Sequence, residues 1–203
     1  MGFHITGDPA ADQVLDESPF ALLAGMMLDQ QFPMERAFAG PAKILDRFGS
    51  LDPHDLAAAD AEQFAALCAK PPAVHRFPGS MAARLQALAA SIVATYDGDT
   101  ARLWQEARSG MDLRRRVEAL PGFGAQKAKI FVALLGKRLG VRPDGWEKAS
   151  GDYAEEGAYR SVADVVDADS LQRVRDFKKA AKSAARQARM PGQDLDPGRR
   201  VSQ

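Results

Sequence analysis

Apolar positions in this chain recur with helical spacing, in short runs cut by proline, glycine and aspartate. Phe20, Leu22, Leu23, Met26 and Met27 form the first stripe. Ser18-Pro19 ahead of it is a helix start, a capping hydroxyl followed by proline in the first turn. The spacing predicts a helix over 19–30, and Pro33 opens the next. Phe38, Ile44, Leu45 and Phe48 make a second stripe that stops at Gly49. Asp52-Pro53 caps a further element, and Asp60 with Gln63 resembles a capping box before Phe64, Leu67 and Cys68. After a break at Lys70-Pro71-Pro72, residues 81–96 are a long amphipathic run with Leu85, Leu88, Ala89 and Ile92 inward. Leu103 and Trp104 begin a short helix. Residues 1–17 show no clear period. A short helix is expected over 161–166 and a basic amphipathic one over 168–189, with Leu171, Val174 and Phe177 packing on the body. The elements are helical throughout, so the expected fold class is all-α.

The pattern centres on Leu120-Pro121-Gly122-Phe123-Gly124-Ala125-Gln126-Lys127-Ala128. The run 111–119 reads as a helix with Asp112 as N-cap and Leu113, Val117 and Leu120 on one face. Pro121 and Gly122 stop it. A second helix starts near Ala125 and carries Ala128, Phe131, Val132 and Leu135 inward, and Gly136 and Gly140 weaken it. Gly122 and Gly124 permit positive φ and close backbone approach. With the amides that open the next helix they suit an anion nest, while Phe123 or Leu120 holds the turn rigid. The same residues also suit a plain helix–helix turn.

Composition sharpens this. The sole cysteine, Cys68, excludes an intramolecular disulfide and a four-cysteine iron–sulfur cluster; it reads as a small buried hydrophobe. The three histidines, His4, His54 and His75, share no ligand spacing, so no metal is expected. His75 and Arg76 read as phosphate contacts or plain surface. No cofactor is called for. No signal peptide or membrane-spanning run is visible, which predicts a cytoplasmic protein. The net charge of zero conceals segregation: residues 114–148 carry 9 basic and 3 acidic groups, whereas residues 1–113 carry 8 and 15. A basic block on the hairpin fits a phosphate-binding face, and equally two solvated basic helices. The expected organisation is one helical domain over 1–190, its hairpin at 112–139, with a disordered tail over 191–203.

Leu-Pro-Gly-Phe-Gly-x-x-x-Ala, with Asp144 following 18 positions after Gln126, resembles the helix-hairpin-helix, Gly/Pro…Asp (HhH-GPD) superfamily of DNA glycosylases, the fold of endonuclease III, MutY and AlkA. His75 to Asp99 is similar to the family's helix leading to the hairpin. Leu22 to Gln31 resembles its early helix ending in a DNA-facing glutamine. The resemblance covers residues 18–150 in the family's order. It implies a two-lobed helical fold and, as partner, double-stranded DNA with a damaged or mismatched base; a monomer is expected.

It also implies site residues. Gly122, Phe123, Gly124, Gln126, Lys127 and Lys129 would bind DNA. Lys127 and Lys129, two positions apart on a helix, diverge by about 200°, so at most one of them faces it. Gln30, with Gln31 as second choice, would fill the gap left by an extruded base; both also suit a solvated corner. Asp144 would be the catalytic carboxylate. Its context, Pro143 before and Gly145-Trp146 after, departs from the family's apolar residue and histidine, and makes Asp152 the reserve. Family members that also cut the strand carry a Schiff-base lysine at the position of Gln126. An amide cannot do that chemistry, which predicts a monofunctional glycosylase, with Lys127 the minor alternative nucleophile. Trp146, Tyr153 and Phe32 are candidates to stack on the base. An aromatic pocket would suit a cationic alkylated purine; uracil and mismatched adenine stay open. The other readings are a non-catalytic DNA-binding or damage-sensing protein, and a helical protein whose basic faces bind acidic partners.

Overall fold

The computed structural model describes residues 2–188; the expected tail over 191–203 lies outside them. The first helix, α1 (Pro9–Glu17), falls where no period is visible. Its signal is local: the Asp8 side chain accepts from the Ala10 amide and Pro9 opens the helix, the same device as Ser18-Pro19. In α2 (Pro19–Leu28) every residue from Phe20 to Leu28 is buried. It is the hub, and it ends two residues before the expected Gln30. Pro33 is the N-cap of α3 (Met34–Phe38). The chain continues through α4 (Gly40–Phe48), which ends at Gly49 in a left-handed cap, α5 (Pro53–Ala58) and α6 (Ala61–Ala69), capped by Asp52 and Asp60 as expected. The long helix α7 (Pro78–Tyr96) starts one turn earlier than its apolar stripe, because Pro78 fits the first turn.

The second half holds α8 (Arg102–Gln105), α9 (Gly110–Glu118), α10 (Ala125–Arg138) and α11 (Trp146–Ser150). Two 3-10 turns follow, Gly151–Ala154 and Val162–Asp164, then α12 (Ala168–Ala188). The N-cap of α9 is Ser109, not Asp112: Ser109 Oγ accepts from the Asp112 amide, and the Asp112 carboxylate reaches back to the Arg108 amide. Gly136 does not weaken α10. It makes room for α11, since a Cβ there would sit 2.4 Å from the Trp146 ring.

Packing forms two groups. α5 and α6 lie along α7, with α4 on α6; α9, α10 and α11 pack on one another, with both 3-10 turns on α10. The hub α2 touches α3, α4 and α7. Their buried side chains form one continuous apolar cluster. A buried ion pair, Lys137 to Asp164 at 2.6 Å, fastens the second 3-10 turn to α10. No strand occurs among the described residues, and the fold is all-α.

Candidate DNA interface and base cavity

The hairpin between α9 and α10 is tight. The Phe123 amide donates to the Leu120 carbonyl at 3.1 Å. Phe123 is half-buried, its ring edge-on to Phe131 with centroids 6.1 Å apart. The two glycines differ. Gly122 has φ +82, and a Cβ on it would lie 2.7 Å from Met27 Cγ, so it needs both the left-handed backbone and the absent side chain. Gly124 is extended, and nothing lies within 4 Å of where its Cβ would be. Its freedom faces outward. The amides of Gly124, Ala125 and Gln126 have no acceptor among the described residues. They point from the start of a 14-residue helix, where aligned peptide dipoles favour an anion.

Gln126 and Lys129 share one side of α10, and Lys127 takes the other. The Gln126 amide donates to the Tyr153 hydroxyl at 3.0 Å. Lys127 turns inward and donates to the Met27 carbonyl at the end of α2, at 2.5 Å. Burial pushes its amine down to about 8, against the opposing pull of Asp29. Lys129, on the opposite side of α10, lines a cavity of ≈ 670 Å³. Gln126, Asp152, Tyr153, Arg160, and Phe177 and Lys178 from α12 also line it.

Asp144 is not in that cavity. Its carbonyl accepts from the Gly110 amide at 2.8 Å, at the start of α9, and it follows the end of α10 remote from the hairpin. Because α10 is about 20 Å long at 1.5 Å per residue, Asp144 and Gln126 sit at opposite ends of it. The chain comes back only through α11 and the first 3-10 turn, which brings Asp152 and Tyr153 to Gln126. Asp152 Oδ2 lies 3.8 Å from the Arg160 guanidinium.

At the other corner, Gln30 is tethered: Nε2 donates to the Met27 carbonyl at 3.0 Å, and Oε1 accepts from Arg84 at 3.0 Å. Gln31 is exposed and holds φ +51. Its neighbours fix it there. His75 Nε2 contacts the Gln30 carbonyl at 3.1 Å, His75 Nδ1 accepts from the Phe77 amide, and Phe32 packs on the imidazole with centroids 4.5 Å apart. His75 is buried rather than a surface phosphate contact, and burial lowers its pKa.

Of the three aromatic candidates, Tyr153 alone lines the cavity; Trp146 is packed on Gly136, and Phe32 on His75. Sequence reading missed Phe177, assigned to packing, which is 42% exposed and forms a cavity wall. α12 reaches the α2–α3 corner through Lys178 to Asp29 at 3.4 Å and Arg175 to Glu35. Cys68 is fully buried, its thiol pushed up to about 11. Among the described residues no three His, Cys, Asp or Glu side chains gather where they could hold a metal ion. None of the described helices is long and apolar enough to cross a membrane.

Among the described residues the elements are all helical, and a glycine hairpin offers open amides at a helix start, the geometry of a helix-hairpin-helix motif. A family model described as HhH-GPD superfamily base excision DNA repair protein matches residues 24–192, and the chain belongs to that superfamily. Its role is base excision DNA repair and its substrate is DNA. No curated protein and no solved structure matches the chain.

Proposed function

We propose that the chain is a monofunctional DNA glycosylase. The observation that carries this reading is the meeting of Gln126, Asp152 and Tyr153 at one cavity, beside amides free to take a phosphate. Gly122 and Phe123 shape the hairpin; Gly124, Ala125 and Gln126 hold the phosphate of the lesion nucleotide. The extruded base enters the cavity. Gln31, exposed where Gln30 is tethered, fills the gap it leaves.

Breaking the glycosidic bond builds positive charge on the sugar. The carboxylate of Asp152 stabilises that charge and orients or deprotonates water. Asp152 takes this role rather than Asp144 because it shares the cavity with Gln126. Position 126 supplies an amide, and the Lys127 amine is held on the Met27 carbonyl, so neither provides a Schiff-base nucleophile.

The test is an excision assay on duplexes with single lesions, run beside duplex binding over a salt series. Base loss with salt-sensitive binding is the expected result. Binding without loss of any base would make the protein a damage-sensing HhH member, a reading favoured by the remoteness of Asp144 from the cavity.

A further inference from the structure

The lining of the cavity carries information about the base. Three cationic side chains face it, Lys129, Arg160 and Lys178, against one carboxylate, Asp152. Their pairing is uneven. Arg160 is shared between Asp152 at 3.8 Å and Glu155 at 2.8 Å, and Lys178 lies 3.4 Å from Asp29. Lys129 has no ion pair among the described residues. Among the described side chains that line the cavity, cations outnumber carboxylates three to one, and Lys129 is the cation that no carboxylate engages.

A cationic base would meet that ammonium. The aromatic rings of Tyr153 and Phe177 offer it cation–π attraction, but a partly exposed ring attracts more weakly than a like charge at the same range repels. The polar groups suit another shape. Because Tyr153 accepts from Gln126, its own hydroxyl proton is free to donate, while Gln126 Oε1 is free to accept. Lys129 and Arg160 add donors; Asp152 adds an acceptor. The lining thus offers both donors and acceptors, together with two aromatic rings.

We infer that this cavity, with Lys129 as its selecting charge and Phe177 of α12 as its outer wall, receives a neutral base whose edge joins a carbonyl oxygen to a ring N–H, as in deaminated and oxidised bases, and rejects cationic alkylated purines. This rests on the glycosylase reading. Ring carbonyls take the Lys129, Arg160 and Tyr153 donors, and the ring N–H goes to Gln126 Oε1.

The experiment measures single-turnover excision from duplexes containing uracil, hypoxanthine, 8-oxoguanine, mismatched adenine, 3-methyladenine or 7-methylguanine, with duplex binding measured in parallel. Excision of one or more of the first three, and of neither methylated purine, is expected; uracil and hypoxanthine separate deamination from oxidation. Lys129→Gln should lower excision of the preferred base about tenfold, the loss of one charged hydrogen bond, and narrow its margin over the methylated purines. Phe177→Ala should slow excision of the same base while the fold and duplex binding persist. Excision confined to methylated purines or mismatched adenine would overturn the inference and leave the glycosylase reading standing. Excision of none, with binding intact, would overturn both. A Lys129→Gln protein with unchanged selectivity would also overturn it.

Discussion

The Gln126 amide donates to the Tyr153 hydroxyl across 3.0 Å, 27 residues apart in sequence. That bond closes the hairpin helix onto the 3-10 turn carrying Asp152, and it separates the two candidate carboxylates. Asp152→Asn should reduce excision at least about a hundredfold, the usual weight of a positioned acid–base group, with duplex binding retained. Asp144→Asn should stay within about twofold, since surface changes away from a site rarely matter more. Loss in Asp144→Asn alone, measured as single-turnover rate, would return the role to Asp144.

The hairpin glycines should respond differently to alanine. Gly122→Ala forces a side chain at φ +82 against Met27 and should destabilise by about 1–3 kcal/mol. Gly124→Ala meets open space with an extended backbone and should shift stability by less than about 0.5 kcal/mol, yet weaken duplex binding by crowding the phosphate. Thermal unfolding and binding isotherms check both; equal thermal shifts would contradict the assignment.

Gln31→Ala should slow excision without lowering stability. Gln30→Ala should cost about 1 kcal/mol, because it gives up bonds to the Met27 carbonyl and Arg84. The reverse pattern in denaturant unfolding and rate would make Gln30 the inserting residue.

Lys127 gives a pH signature. Burial depresses its folded value to about 8 from an ordinary 10.5. Between those pH values the unfolded chain binds more protons at this site than the folded one, so its contribution to stability rises with pH across the window. Below pH 8 the amine is charged in both states and its burial is a constant cost. Denaturant unfolding at pH 7.5 and 9.5 should show that rise in the wild type and lose it in Lys127→Met. Equal changes in both proteins would contradict it.

Much of this was legible in the chain because it is local. Ser18-Pro19, Asp52-Pro53, Gly49 and the Leu-Pro-Gly-Phe-Gly turn act within a few residues, and the stripe Ala128, Phe131, Val132 and Leu135 follows helical period. The expectation that Lys127 and Lys129 diverge rests on helix geometry and agrees with their directions. What could not be read depends on distant partners. Gln30 is held by Arg84, 54 residues on. His75 is buried by Phe32 and the α2 corner. Asp144 fits the family spacing, but only the path of α11 shows that the returning chain presents Asp152. Phe177 falls on the apolar stripe of α12 and yet lines the cavity, between Arg175 and Lys178, which pair with Glu35 and Asp29.

On the proposed reading the cavity presents an amide at Gln126, which cannot form a Schiff base. The decisive measurement takes a duplex from which the protein removes a base and compares strand breakage with and without alkali, in parallel with borohydride trapping. Breaks only after alkali, with no trapped protein–DNA adduct, are the predicted result. Breaks without alkali, or an adduct at Lys127 or Lys129, would contradict it.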